Sequence, residues 1–435
     1  MEKLFMKGNI MKKRSEEIAK DLEKSLVDFC SKITSIPSEP GQEEEVAKVY
    51  MEKMRQLGYH EVFSDPWGNV VGIIRGNEPG PMIMYNGHMD AVPAGDPSLW
   101  EDQDPYSGAI KTCPMYDKHM EKEEETKAIL GRGIADLKGG AAAQMYCGGV
   151  LARLIKEGYP VKGTFMLSQV VLEENGEALG TIKLLENFRE EGLDPDAMVC
   201  CEPSSLKLML GHRGRCELKV EVEGKSCHGS SPWLGVNAVV KAAKLIPEIE
   251  KKIWTNGRVD EDLGQSGIAL IMLDIEPNEL CIVPNKCTIV YDRRLVPGET
   301  VEDAVMEIQE VIDAVKKDDP ELEAQVSINK NLRRSYTGKE CVIESKKEVW
   351  KIDKEHPFVK ACSEGLASMG LDVELGYWPF STDCPAMNDL GKPVIGYSGL
   401  QEYYIHTTFE RARVDYILES LRGNIGIFLE ASKGF

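Results

Sequence analysis

The sequence predicts an α/β protein with a mixed, largely parallel sheet, into which an α+β domain is inserted. Short apolar runs at residues 81–86, 164–172 and 197–201 are bounded by breaking or charged residues, as buried strands are. A pattern rich in alanine, leucine and methionine predicts a helix at residues 138–157, between the first two runs. Because strand and helix alternate, we expect a parallel sheet with helices on its faces.

The segments before and between these runs predict further elements. Helical periodicity extends over residues 15–33 and 43–57, and strand-like runs follow at residues 61–63 and 69–74. Residues 117–127 form a charge-dense insertion that predicts a solvated loop or hairpin, with a cover over a cleft as the alternative.

The pattern changes beyond residue 212. Cys216, Leu218, Val220 and Val222 alternate with charged residues, which is the period of a strand with one exposed face. A helix at 236–253, strands at 267–274 and 286–295, a helix at 300–317 and a strand at 323–329 follow. The order β-α-β-β-α-β is the ferredoxin-like arrangement. We therefore predict one domain formed by residues 1–212 and 331–435, and an inserted domain at residues 213–330.

The charge balance argues against several partners. Lysine and arginine total 52 against 72 acidic residues, a formal net charge of −20, which repels nucleic-acid phosphates and anionic membrane surfaces. No apolar run approaches the roughly 20 residues of a membrane-spanning helix, and the amino terminus lacks the apolar core of a secretion signal. We expect a cytoplasmic protein that binds neither nucleic acid nor membrane.

The twelve cysteines are scattered, often lie in apolar runs and lack CxxC spacing. We interpret most of them as reduced core residues. Any bound metal would therefore be held by histidine and carboxylate ligands.

Each predicted buried strand runs into residue types that ligate metals. The carboxyl ends of parallel strands meet at one edge of a sheet, so these side chains should converge there. Asp136, just before the helix at 138–157, is placed to join them. The residues that follow the three strands are His88, Asp90, Glu173, Glu174 and Glu202.

Each residue alone has an ordinary interpretation. His88 fits a structural histidine, and Asp136 and Glu202 fit helix caps. The adjacent carboxylates of Glu173 and Glu174 weaken that interpretation, because burying both without a cation is costly. A cluster of cations removes the cost.

These motifs resemble the M20 family of metallopeptidases over nearly the whole chain. GHMD, GRGIADLKGG, LEEN, CEPS, KSCHGSSP with GVNAV, and YIHTTFE occur in the family's order. CHGSSP, DRRLVPGET, RSYTG and FSTD are most similar to its selenium-metabolism-linked hydrolase subfamily. The resemblance implies the inserted ferredoxin-like domain and a hydrolase of amide or peptide bonds in small amino-acid-derived substrates.

The resemblance also implies a site for two divalent ions, with zinc favoured and cobalt or manganese as alternatives. His88, Asp136 and Glu202 would hold one ion and Asp136, Glu174 and His406 the other. Two such ions can share a water and lower its pKa toward neutrality, which supplies hydroxide as the nucleophile. Glu173 would act as the general base, and Asp90 would orient the His88 ring.

Two further residues are implied by the same resemblance. His228 would stabilise the oxyanion, in relatives from across a homodimer formed through the inserted domain. Arg294 would bind a substrate carboxylate. A Cys227–His228 thiol mechanism is a weaker alternative, since the metal set already explains the histidine.

The match departs from the family pattern at two positions. Cys281 stands where many relatives carry an asparagine that contacts substrate, and Phe409 stands where the late motif usually has another asparagine. The substrate therefore stays open. A carbamoyl-amide (ureido) hydrolase and a non-catalytic metal- or ligand-binding homologue are the alternative functions.

Overall fold

The computed structural model describes residues 2–100, 104–117 and 122–435. Its helices and strands are numbered separately along the chain. The helices span Glu2–Thr34 (α1), Glu44–Leu57 (α2), Gly139–Lys156 (α3), Glu173–Gly176 (α4), Leu179–Glu191 (α5), Ala238–Asn256 (α6), Val301–Asp318 (α7), Pro357–Ser368 (α8), Cys384–Asn388 (α9) and Val414–Ala431 (α10).

The strands span Glu61–Ser64 (β1), Val70–Arg75 (β2), Glu78–His88 (β3), Ile110–Asp117 (β4), Lys122–Leu130 (β5), Lys162–Val170 (β6), Ala197–Cys200 (β7), Leu208–His212 (β8), Gly214–Glu223 (β9), Val259–Asp260 (β10), Gly264–Gln265 (β11), Gly267–Glu276 (β12), Lys286–Leu295 (β13), Glu323–Ile328 (β14), Lys330–Arg334 (β15), Glu340–Glu344 (β16), Lys346–Lys347 (β17), Trp350–Lys351 (β18), Leu375–Trp378 (β19), Val394–Gly396 (β20) and Arg411–Arg413 (β21). Helix α3 separates β5 from β6, and α4 and α5 separate β6 from β7, whereas the strands near the end of the chain are short.

The largest sheet has the order β1-β2-β6-β3-β7-β20-β8-β18, with β19 beside β8. Its centre is parallel, because β6, β3, β7 and β20 run in one direction. The flanking pairs β1–β2, β2–β6 and β8–β18 are antiparallel. The predicted mixed, largely parallel sheet is confirmed.

Both faces of this sheet are buried, which explains why its central strands are apolar throughout. Tyr85 and Phe165 face a core shared with α1, α2, α3, α8 and α10. Met84 and Met166 point the other way, into a second core with α5 and α9. Alternate side chains therefore enter different cores, as the period of a strand requires.

The inserted part of the chain forms a second sheet in the order β12-β13-β9-β14. Cys216, Leu218, Val220 and Val222 of β9 are fully buried against α6 and α7, while the residues between them are partly exposed. The elements follow in the predicted order β-α-β-β-α-β, with the small β10–β11 hairpin as an addition. The alternation predicted from the sequence is confirmed.

The chain leaves the large sheet between β8 and β9 and returns between β17 and β18. Lys347 of β17 pairs with Arg215 of β9, whereas Trp350 of β18 pairs with His212 of β8. Residue 331, the predicted point of return, lies in β15, part of the β15–β16 hairpin. An ion pair also joins the two parts, since Lys351 Nζ lies 3.0 Å from Asp260 Oδ1.

The acidic insertion supplies one arm of a hairpin rather than an irregular loop. β4 pairs with β5, and β5 also pairs with β21. Residues 118–121, at the tip, lie outside the described residues. Within the described part of the chain, no helix has the length and apolarity needed to cross a membrane.

Among the residues that the structure describes, the core of the inserted domain shares no residue with the two cores on the faces of the large sheet. We therefore expect the two domains to unfold as separate units. Phe165→Ala should lower the stability of the large domain by about 3–5 kcal/mol, and Ile289→Ala that of the inserted domain by about 2–5 kcal/mol, because both side chains are fully buried. Differential scanning calorimetry of each variant should show one of two transitions moving. A single transition that both substitutions shift equally would contradict separate cores.

Candidate metal centre

The ends of the central strands bring five potential metal ligands to one edge of the large sheet. His88 ends β3, Glu174 lies in α4 after β6, and Glu202 follows β7. Asp136 lies in a kinked turn, Ile134–Lys138, directly before α3, and its own backbone is not helical. His406, whose backbone has a φ of 58°, comes from the segment between β20 and β21. Five distant parts of the sequence therefore meet at one place.

Asp136 lies between the two histidines, with one carboxylate oxygen toward each. Its Oδ1 is 3.2 Å from His88 Nε2, and its Oδ2 is 3.1 Å from His406 Nε2. His406 Nε2 is also 3.2 Å from Glu174 Oε2, and His88 Nε2 is 3.7 Å from Glu202 Oε1. The side chains thus form two groups, and Asp136 belongs to both.

This donor set fits divalent cations. Potential ligand atoms of His88, Asp136 and Glu174 lie within 4.8 Å of one another, as do those of His88, Glu173 and Glu202. Glu174 Oε1 is buried and forms no hydrogen bond among the described residues. A buried carboxylate oxygen without a donor is costly unless a cation binds it.

The pKa values of these carboxylates are shifted because the carboxylates are buried close to one another. Burial and the charge of Asp136 raise the pKa of Glu174 to about 7, and the same two causes raise the pKa of Glu202. Burial alone would raise the pKa of Asp136, but hydrogen bonds with His406 and His88 hold it below its ordinary value. The buried carboxylates therefore raise the cost of ionising one another, and a nearby cation would offset that cost.

The turn that carries Asp136 is held by Glu410, four residues after His406. Glu410 is buried; its Oε1 accepts hydrogen bonds from the backbone N–H groups of Ala135, at 3.0 Å, and Asp136, at 3.3 Å. Its Oε2 forms an ion pair with the buried Arg132. One carboxylate therefore ties the His406 segment to the turn that bears Asp136.

The carboxylate of Asp90 contacts a different group from the one we expected. His88 Nδ1 lies 2.9 Å from the Asp90 carbonyl oxygen and 3.7 Å from the carboxylate, so the carbonyl orients the ring. The two carboxylate oxygens accept hydrogen bonds from the backbone N–H groups of Glu173, at 3.1 Å, and Glu174, at 2.9 Å. Asp90 thereby holds the amino terminus of α4, which carries both glutamates.

Glu173 is buried beside the two groups of potential ligands that share Asp136, and it has a cationic partner. Lys347 Nζ donates a hydrogen bond to Glu173 Oε1. Burial would raise the pKa of Glu173, but the Lys347 ammonium lowers it below the ordinary value. The carboxylate therefore favours its ionised form.

The carboxylates and His406 line a cavity of about 210 Å³ between the two domains. Arg294 also lines it, but Arg294 Nε and Nη2 already contact Asp292, at 2.6 and 3.2 Å. Arg215 contacts Glu177, Glu217 and Asp292. The two arginines thus line the cavity as members of a network of ion pairs.

His228 does not take part in the cavity of a single chain, as far as the described residues go. Its exposed ring contacts Ser230, with Nδ1 2.8 Å from Oγ. Its backbone forms a bridge to Ile282 in the inserted domain. Cys281, next along the chain, is exposed and has a φ of 67°, a left-handed conformation that asparagine adopts more readily than cysteine.

Three contributors to the site were missed by the sequence analysis: Glu410, Lys347 and Asp383, whose Oδ1 lies 3.7 Å from Lys347 Nζ. Glu410 follows His406 in the quoted YIHTTFE motif, and Asp383 belongs to the quoted FSTD motif, but neither received a role. Lys347 lies in the charged stretch ESKKEVWK, which has the composition of a solvated surface. Membership in a quoted motif was a signal for Glu410 and Asp383, whereas the sequence around Lys347 gave no such signal.

Comparison with known proteins gives one family model and several relatives. The model described as the peptidase dimerisation domain, named for M20, matches residues 210–320. The uncharacterised protein YgeY of Escherichia coli strain K12 is 33% identical over 410 residues, covering 93% of this chain and 94% of that protein. Succinyl-diaminopimelate desuccinylase of Legionella pneumophila strain Paris is 27% identical over 246 residues, 54% of this chain and 59% of that enzyme.

Solved structures share the fold at lower identity. Aminopeptidase PepT of Bacillus cereus superposes with a TM-score of 0.69 and 21% identity, over 95% of this chain and 99% of that one. The Bacillus subtilis protein YxeP, described as a dinuclear metal-binding peptidase from the M20 family, gives 0.65 and 13%, over 95% and 99%.

The contact between Glu410 and the Asp136 turn leads to a prediction. Glu410→Gln keeps an acceptor for the backbone but loses the charge that pairs with Arg132, so affinity for divalent ions should fall by about 10- to 100-fold. Calorimetric titration of metal-free protein with zinc or manganese measures it. Glu402→Gln, in the same segment but without a hydrogen bond to the turn, is the matched control. Equal affinities in the two variants would refute a positioning role for Glu410.

Proposed function

The chain belongs to the M20 family of metallopeptidases, and we propose that it is a two-metal hydrolase that cleaves an amide or peptide bond in a small amino-acid-derived substrate. The observation that carries this proposal is the position of Asp136 between two separate sets of ligands, with Glu173 beside them. Such a set serves two divalent ions, and a further buried carboxylate next to them serves proton transfer.

His88, Asp136 and Glu202 would hold one ion, and Asp136, Glu174 and His406 the other. When bound, the ions would polarise the scissile carbonyl and lower the pKa of the attacking water. Zinc, cobalt and manganese all accept histidine and carboxylate ligands, and zinc is our first choice. The donor distances around Asp136 support this division of the ligands.

Glu173 moves the proton in this proposal. Its carboxylate takes a proton from water as the water oxygen adds to the carbonyl carbon. It then delivers that proton to the amide nitrogen as the carbon–nitrogen bond breaks, which leaves a carboxylate and an amine. Asp90 supports the step, because its contacts with the backbone of residues 173 and 174 hold the glutamate in place.

The position of Arg294 on the cavity suggests how an amino-acid-derived substrate is oriented. Arg294 has one guanidinium nitrogen, Nη1, outside its contacts with Asp292, so we propose that it binds a carboxylate of the substrate. N-succinyl amino acids and dipeptides both carry a carboxylate in addition to the amide bond that is cleaved. N-acyl amino acids, N-succinyl amino acids and dipeptides therefore form the first substrate panel.

A homodimer formed through the inserted domain completes the proposal. The match to a dimerisation domain covers this region. β12 is an edge strand whose Ile271, Met272 and Leu273 are 52%, 48% and 42% exposed, a run of apolar side chains beside an open strand edge. We propose that β12 meets its copy in the partner, and that His228 reaches the partner's cavity to stabilise the oxyanion.

Separate replacement of Glu173 and Glu174 distinguishes proton transfer from metal binding. Glu173→Gln should keep two ions per subunit and lower kcat by about 10²- to 10⁴-fold, because only the base is lost. Glu174→Gln should bind fewer than two ions. Elemental analysis and hydrolysis of the substrate panel measure both.

The outcomes also separate the alternative functions. Ammonia and carbon dioxide released from an N-carbamoyl substrate would identify a ureido hydrolase, and two ions without turnover would favour a binding protein. Wild-type protein that stays metal-free after exposure to zinc, cobalt or manganese would refute the site itself.

Mixing two inactive variants tests the role of His228. If His228 acts across the dimer, a dimer of one Glu173→Gln and one His228→Ala subunit has one intact site. Random exchange of subunits should then restore about a quarter of wild-type activity. If His228 acts within its own subunit, the mixture stays as inactive as its components.

A further inference from the structure

Lys347 is the least expected charge at this site. Its side chain is 8% exposed, and its ammonium donates to Glu173 Oε1. The Glu173 side chain is 9% exposed. Burying an ammonium is costly, and the cost is recovered only when its partners are well placed. The location of Lys347 therefore needs a reason beyond the stability of the core.

A second buried carboxylate lies behind Lys347. Asp383 Oδ1 is 3.7 Å from Lys347 Nζ and has no hydrogen bond among the described residues. Asp383 Oδ2 accepts a hydrogen bond of 2.5 Å from Thr181, whose hydroxyl is also 3.2 Å from Asn86 Nδ2. Glu173, Lys347, Asp383 and Thr181 thus form a continuous chain of polar groups that begins at the cavity and ends inside the large domain.

The contacts of Lys347 argue against a direct role in binding substrate. Its ammonium is already shared between two carboxylates, whereas Arg294 Nη1, on the same cavity, lies outside the contacts of Arg294 with Asp292. Lys347 reaches one oxygen of Glu173, and no described residue donates a hydrogen bond to the other, Oε2. This arrangement leaves Oε2 available to the reacting water while Oε1 is held.

We propose that Lys347, itself held by Asp383, is a positioning residue that fixes the orientation of the Glu173 carboxylate for proton transfer. The proposal rests on the hydrolase function proposed above and deepens it by identifying what controls the base. It gives a role to the FSTD motif, which contains Asp383. It also links the base to the inserted domain, because Lys347 lies on β17, which pairs with β9.

Comparison of Lys347→Met with Lys346→Met tests the proposal. Lys346 is the adjacent residue of the same strand, but its ammonium pairs with Glu344 outside the cavity. Lys347→Met should keep two ions per subunit and lower kcat by about 10²-fold with KM little changed, since a misplaced base slows the chemical step. Lys346→Met should match wild type in metal content, kcat and KM.

A second readout does not depend on turnover. In metal-free protein, Lys347→Met leaves Glu173 buried without its cation and should lower Tm by roughly 5 °C or more. Adding Glu173→Gln to that variant should restore much of the loss, because the unpaired charge is then gone. Additive losses in the double variant would overturn the proposal.

The proposal also fails if Lys347→Met behaves like Lys346→Met in kcat, or if its loss of activity follows only from loss of metal. The proposed hydrolase function fails if the wild-type protein hydrolyses no substrate in the panel. The two failures are therefore distinguishable.

Discussion

The excess of buried negative charge at the ends of the central strands is the constraint on which the rest of the site depends. Asp136, Glu173, Glu174 and Glu202 meet where the local dielectric is low, so every one of them requires a positive or hydrogen-bonding partner. The neighbouring structure supplies these partners from different parts of the chain: His88 and His406 for Asp136, and Lys347 for Glu173. The fold therefore brings carboxylates together and places two imidazoles and one ammonium around them, while Glu174 Oε1 has no hydrogen bond among the described residues.

Most of the architecture was predictable because it depends on local pattern. The apolar runs of β3, β6 and β7 and the alternation in β9 indicate which faces are buried, and three of the proposed ligands, His88, Glu174 and Glu202, lie at or shortly after the ends of these strands. The contacts that orient those ligands depend on residues far apart in the chain. Lys347 lies 174 residues from Glu173 and Glu410 lies 274 residues from Asp136, so composition around either residue says nothing of its partner.

The family resemblance assigned the Asp90 carboxylate to the His88 ring, and this role stays a prediction. In the structure the backbone carbonyl of Asp90 is closer to the ring, and its carboxylate accepts hydrogen bonds from the amino terminus of α4. The Asp90 carbonyl thus contacts the ring at the end of β3, and the Asp90 carboxylate contacts the helix that follows β6. The choice between them depends on how β3 and β6 lie side by side, which a single strand's sequence does not contain.

The paths by which the chain crosses between its domains have an evolutionary consequence. Departure through β8–β9 and return through β17–β18 use neighbouring strands, since Lys347 lies beside Arg215 and Trp350 beside His212. A module whose two ends are adjacent can be gained, lost or exchanged without rethreading its host. The side chains at the ends of β3, β6 and β7 belong to the host, whereas Arg294 and β12 belong to the module. Descendants of one ancestral reaction centre could thus acquire new recognition surfaces by replacing a single contiguous stretch of gene.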